Sequence, residues 1–205
     1  MSDARVNANS TRRQQILEML ARELESHPGS RITTAGLARA LGVSEAALYR
    51  HFPSKARMFE GLMSFAEETV FGLITRILAE QPRAVDRCEH MMRLLLGFLA
   101  RNPGIARILA GDALVGENER LRERVSQFFE RLETQFRQVL REAVLTGDPR
   151  LAISANAAAS LMLGFAEGRM SQFVRSGFGF DPLAQWEELW PALHSAVFAA
   201  RAQEA

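Results

Sequence analysis

Apolar residues recur at three- and four-residue steps along almost the whole chain of 205 residues, and nowhere do they keep up the alternation of a half-buried strand. No Asn-Gly or Asp-Gly hairpin turn occurs. The pattern predicts an all-α fold of about nine helices, punctuated by glycine and proline. The first runs from Thr11 to Glu25, with Ile16, Leu17, Leu20 and Leu24 on one face, and stops before Pro28 and Gly29. Two short helices follow, Thr34 to Leu41 and Glu45 to His51. Ser54 then caps a long helix to Glu80 with the stripe Met58, Leu62, Phe65, Ala66, Thr69, Leu73, Ile77. Further helices are predicted over 84–101, 103–115 and 117–145, the last closed by Gly147 and Pro149, and over 150–175 and 182–201, the last bent at Pro191. The domains read as a flexible N-terminal arm over 1–10, a small three-helix unit over 11–53, and a larger helical bundle over 54–205.

Composition narrows the function classes. Apolar types make up 47% and charged types 24%, which fits a folded chain with a real core. The single cysteine, Cys88, rules out an intrachain disulfide or a cysteine metal cluster and points to a reducing compartment. No apolar run reaches the roughly 18 residues of a membrane span, and no apolar stretch follows the N-terminal arginines, so a cytoplasmic protein is expected that needs no membrane. Net charge is only +1. Residues 1–60 nevertheless hold nine basic and six acidic groups, against 16 and 18 in the remainder, so positive charge gathers in the first third.

The sharpest segment is ITTAGLARALGVSEAALYRHFPSK, Ile32 to Lys55. Leu37, Leu41, Val43 and Leu48 can form a small core between two short helices, Gly42 supplies the turn, and Thr33 and Ser44 stand where N-caps belong. The second helix then displays Glu45, Ala46, Tyr49 and Arg50. That mix of small and long side chains suits a helix entering a major groove of double-stranded DNA. Ala46 and Arg50 are the candidates for base edges, and Thr33, Tyr49 and Lys55 for phosphates. Ser44 and His51 complete the candidate DNA-binding set.

The run from Thr33 through Gly42, Val43 and Ser44 to Leu48, Tyr49, His51, Phe52 and Lys55 resembles the DNA-binding signature of TetR-family regulators. This implies a helix-turn-helix three-helix unit joined to a helical dimer domain. The likeness extends through LLLGFLARNPGIARILAGDAL, RLETQFRQVLRE and FAEGRMSQFVRS to the nucleoid occlusion branch of that family. It implies a nucleoid-associated homodimer, with room for more than one dimer per DNA site. When DNA-bound, such a dimer binds the C-terminal tail of the division protein FtsZ and blocks Z-ring assembly over the chromosome. Phe65, Leu94, Gly97, Arg101 and Asn102 stand at matching positions for that contact. One departure is Leu73, where the family carries a basic residue; Arg76 follows one turn later.

The residues themselves also point to a partner surface. On the helix over 84–101, Val85, Cys88, Met92, Leu95, Leu96 and Leu99 form a core stripe, and Leu94, Gly97, Phe98 and Arg101 fall on the opposite side. A helix apolar on both sides is either buried on both or offers one to a partner. Two functions follow from these alternatives: an interaction protein with a peptide groove, or a ligand-gated repressor with an internal apolar pocket. The small residues Ala155, Ala157, Ala158, Ala159, Gly164 and Gly168, with the stripe Trp186, Leu189, Trp190, Leu193 and Val197, read as a two-fold dimer seam. No HExxH, phosphate-loop or GxSxG motif occurs, and the four histidines are scattered, so no enzyme, cofactor or metal is expected.

Overall fold

The computed structural model describes residues 2–27, 29–146 and 150–199. Among them nine α-helices follow in chain order. These are α1 (Ser2–Ser26), α2 (Thr34–Ala40), α3 (Glu45–His51), α4 (Lys55–Glu80), α5 (Ala84–Arg101), α6 (Pro103–Leu109), α7 (Glu119–Thr146), α8 (Ala155–Arg175) and α9 (Trp186–Val197). A single 3₁₀ turn, Asp112–Leu114, stands between α6 and α7. Extended pairing among the described residues amounts to one isolated bridge, Leu151 with Phe198.

Four boundaries differ from the sequence pattern. Helix α1 begins at Ser2 rather than Thr11, because residues 2–10 hold no glycine or proline to stop it. The helix expected over 103–115 ends at Leu109, where Gly111 takes φ +79° and the chain re-enters as the 3₁₀ turn. Helix α8 starts at Ala155, where the Ser154 hydroxyl accepts from Ala157 N at 3.2 Å. The preceding residues pair instead with the chain beyond α9: Ala152 N donates to Val197 O and Ala199 N to Arg150 O, both at 2.9 Å. Helix α9 starts at Trp186, after Gln185 in the left-handed region at φ +59°, and runs through Pro191. Gly147, Pro149 and Arg201 lie outside the described residues.

The chain divides into two compact units: residues up to Glu67 with Asn102–Val125, and Glu68–Arg101 with the described residues from Ser126 on. The first unit reaches beyond the boundary expected at residue 53 for a physical reason. Helices α2 and α3 have seven residues each, far below the roughly 12–15 at which an isolated helix becomes even marginal, so tertiary packing must hold them. Ile16, Leu20 and Leu24 of α1, Leu37, Leu48 and Phe52, and Met58, Phe59, Leu62 and Met63 of α4 share one core with Ile108, Leu114 and Leu121. Helices α1 and α6 touch backbone to backbone at Gly104, where a Cβ would stand 2.3 Å from the Ala21 carbonyl oxygen.

In the second unit α5 buries Val85, Cys88, Met92, Leu95, Leu96 and Leu99, the stripe read from the sequence. Burial pushes the Cys88 thiol up to about 12, against a weaker opposing influence from Arg87, so this sulfur is an inert core group. The α4 stripe is only partly right. Met58, Leu62 and Ala66 are buried, but Phe65 is 49% exposed and the core turns to Val70, Phe71 and Ile74. A straight helix drifts about 20° per heptad, so one stripe cannot stay inward over 26 residues. The α9 side chains expected to form the seam are largely covered within the chain. Trp186, Trp190, Leu193 and Val197 are buried within the chain, Trp186 and Trp190 stack at 5.7 Å, and Trp186 Nε1 donates to Glu89 Oε1 at 3.2 Å. Ala158 and Ala159 are likewise buried within the chain.

Candidate functional site

The turn between α2 and α3 is built by backbone geometry that its sequence dictates. Gly42 sits at φ +66°, a conformation L side chains rarely adopt, and Val43 N donates to Ala38 O at 3.0 Å. Both caps form: Thr33 Oγ1 accepts from Gly36 N at 3.1 Å and Ser44 Oγ from Ala47 N at 3.2 Å. Leu48 alone of α3 is buried, which leaves Glu45, Ala46, Tyr49 and Arg50 exposed and His51 half-buried. The display expected of the second helix is present.

Three candidate residues on or beside α3 have intramolecular work. Glu45 Oε2 accepts from Thr34 Oγ1 at 2.6 Å, and the Tyr49 hydroxyl donates to the same Thr34 oxygen at 3.4 Å. Glu45 thus braces α3 against the start of α2. Lys55 is 18% exposed and donates to Glu117 Oε1 at 2.5 Å, with Arg31 Nε 3.8 Å from the same oxygen. It stands ion-paired at the start of α4 rather than as an open charge.

Three residues that the sequence reading missed hold this unit in place. Arg13 donates from Nη1 to the His51 carbonyl at 2.5 Å and lies 4.3 Å over the Phe52 ring, so α1 satisfies a carbonyl at the C-terminal end of α3. Arg107 is 1% exposed. It donates to the carbonyls of Leu24 at 2.7 Å, His27 at 2.8 Å and Ser30 at 3.5 Å, and pairs with Asp112 at 2.5 Å. These groups end α1 and lead to the Thr33 cap. Arg124 holds Glu67 through two donors, 2.9 and 2.8 Å, and its pKa is raised first by that hydrogen bond. No local spacing announces partners 38, 57 or 83 residues apart.

The six partner-site candidates are divided between the two units. Phe65 and Asn102 belong to the first unit, Leu94, Gly97, Phe98 and Arg101 to the second. In the second, Phe98 is only 3% exposed and Gly97 is buried, while Leu94 is half-buried and Arg101 exposed. Phe98 is therefore core rather than open surface, because α5 is packed on more than one side. At Gly97 a Cβ would meet Arg101 Nη1 at 3.4 Å and Leu183 Cδ1 at 3.7 Å, so the glycine lets the guanidinium lie back along α5. Asn102 begins α6 through its carbonyl, which accepts from Ala106 N at 2.9 Å. Leu73 is half-buried, and Arg76 stands 3.8 Å from Glu80. Among the described residues, no three histidine, cysteine, aspartate or glutamate side chains gather as a metal site would need, and no helix is long and apolar enough to cross a membrane.

Two family models match the chain, one after the other. Residues 16–62 match the family model of bacterial regulatory proteins of the tetR family, and residues 83–197 match the SlmA-like model of the Tetracyclin repressor-like C-terminal domain. A transcriptional regulator of the TetR family from Agrobacterium tumefaciens has a similar solved fold, with a TM-score of 0.76 at 18% identity over 93% of this chain and 100% of that one. The nucleoid occlusion factor SlmA of Colwellia psychrerythraea is 57% identical over 91% of this chain and 94% of its own length. That of Alteromonas mediterranea is 54% identical over 89% and 94%. Identity at that level across both halves is more than a shared DNA-reading module would produce, and the chain belongs to the SlmA family of nucleoid occlusion factors within the TetR-type fold.

Proposed function

We propose that this chain acts in the cytoplasm as a homodimer that binds particular chromosomal sites through α3 and, once bound, holds FtsZ back from assembling over the nucleoid. The observation that carries the reading is the outward display of α3, anchored by Leu48 alone and steadied by Arg13 at its C-terminal end. Ala46 and Arg50 then read base edges, while Thr33, Tyr49 and Lys55 take phosphates. One such helix reads too few bases, and a two-fold dimer reads two half-sites about 34 Å apart. The seam belongs on the exposed face of α8 that carries Ala157, Leu161, Gly164 and Gly168, rather than on the buried Ala158 and Leu193. Gly164→Glu is expected to yield monomer in sedimentation velocity; an unaltered dimer moves the seam elsewhere.

For FtsZ the proposal rests on Leu94 and Arg101, an apolar edge and an exposed cation that suit an acidic and apolar tail. The test is sedimentation of FtsZ polymers with protein and with duplex selected from a random pool. Polymer loss that requires the duplex supports the reading, and polymers indifferent to protein and duplex sink it. Arg101→Asp is expected to leave duplex binding intact while abolishing the effect on polymers.

A further inference from the structure

Glu117 lies outside every motif, on the turn that enters α7, yet its carboxylate meets a candidate phosphate ligand, Lys55, and a neighbouring cation, Arg31. Its side chain is 9% exposed, and one oxygen, Oε1, serves both Lys55 Nζ at 2.5 Å and Arg31 Nε at 3.8 Å. The turn is pinned on both sides. Gly116 takes φ +76°, Glu117 N donates to Leu114 O at 3.1 Å, and Asn118 Oδ1 accepts from Arg120 N at 2.9 Å. Lys55 is held by more than the ion pair, since its ammonium lies 5.5 Å over the Phe59 ring. Arg31, by contrast, is 71% exposed.

A carboxylate and a phosphate ask an ammonium for the same thing, an anionic oxygen on its N–H donors. Two cations facing a duplex would offer it two charges; with Glu117 between them the cluster offers one. We propose that Glu117 limits the DNA affinity of the helix-turn-helix by competing with the backbone phosphate for Lys55 and Arg31. The inference rests on the reading of Lys55 as a phosphate ligand and goes beyond it. Phosphate capture here is an exchange of one anion for another, and the sequence-independent part of binding is held down accordingly.

The test uses the full chain and a fluorescein-labelled duplex of arbitrary sequence, followed by anisotropy from low to physiological salt. Glu117→Gln keeps shape and removes charge. It is expected to bind roughly tenfold tighter at low salt, with a slope of log affinity against log salt steeper by about one per bound protomer. Glu117→Ala should move the same way. In a Lys55→Ala, Arg31→Ala background, Glu117→Gln should change affinity less than about twofold, since the competition has lost its object. Unchanged or weaker binding by folded Glu117 variants overturns the inference, as does an equal gain in the doubly substituted background. Loss of a cooperative thermal transition in both variants overturns it too, because Glu117 is then a structural brace. Wild-type protein with no salt-dependent affinity for duplex overturns the DNA-binding reading itself.

Discussion

Helix α3 and helix α5 each carry, by sequence, a face that could be displayed, and they differ in how much of themselves they bury. Helix α3 buries one of its seven residues, Leu48, and is steadied at its ends by the Ser44 cap and by Arg13. Helix α5 buries ten of its eighteen, including Phe98 and Gly97 on the side offered to a partner. Apolar residues on the second face of a long helix therefore distinguish poorly between a docking surface and a wall, because the same residues serve both. Polar and small residues on a short, singly anchored helix have no core role to play, so their display is informative.

The largest effect that would break this contrast is expected at Phe98. Phe98→Ala should cost about 3–5 kcal/mol of folding stability, as for a large core side chain, read by chemical denaturation. A loss under about 1 kcal/mol would return that ring to the surface. Arg107→Ala should cost about 3 kcal/mol, since three carbonyls and the Asp112 carboxylate lose a buried donor. DNA affinity should fall with it, because those carbonyls lie on the approach to the Thr33 cap.

On the displayed helix the cost should appear in binding and not in folding. Arg50→Ala should weaken the preferred duplex by about 1–3 kcal/mol while shifting stability by less than about 0.5 kcal/mol. Lys55→Ala should weaken all sequences alike and make the salt slope shallower by about one. A sequence-dependent loss at Lys55 would blur the division between reading and gripping.

The smallest effect belongs to α8. Glu167 has a pKa raised from the ordinary glutamate value, first by burial and then by the Glu133 charge. The folded state thus holds that proton more tightly than the unfolded chain does. Its charged form works against folding above the raised value, and the penalty fades as pH falls towards the ordinary one. Glu167→Gln should raise the denaturation midpoint slightly at pH 7 and lose that advantage in acid. An equal gain at both pH values would locate the effect in packing rather than charge.

Element type and order were legible because apolar periodicity runs the length of the chain, and at α2 and α3 local causes add to it: caps at Thr33 and Ser44, and a glycine at 42 in a conformation other residues avoid. The outward set of α3 was legible for the same reason. What escaped the sequence was long-range pairing. Nothing near Glu117 announces Lys55, 62 residues away, and nothing near Arg107 announces Leu24. The α9 stripe was visible as apolar, but periodicity cannot say whether the surface covering it comes from the same chain or a second copy. Trp186 donating to Glu89 shows that part of the cover comes from the same chain.

The unit that carries the helix-turn-helix is discontinuous, with Asn102–Val125 completing what residues up to Glu67 begin. On the ribosome, at roughly 5–20 residues per second, α2 and α3 emerge several seconds before Ile108, Leu114 and Arg107 exist to receive them. A nascent chain halted near residue 67 has the whole DNA-reading motif and lacks part of the core that shapes it. Completion of that core thus comes late in synthesis, after more than half the chain has been made, and a truncated product is expected to hold α2 and α3 less firmly.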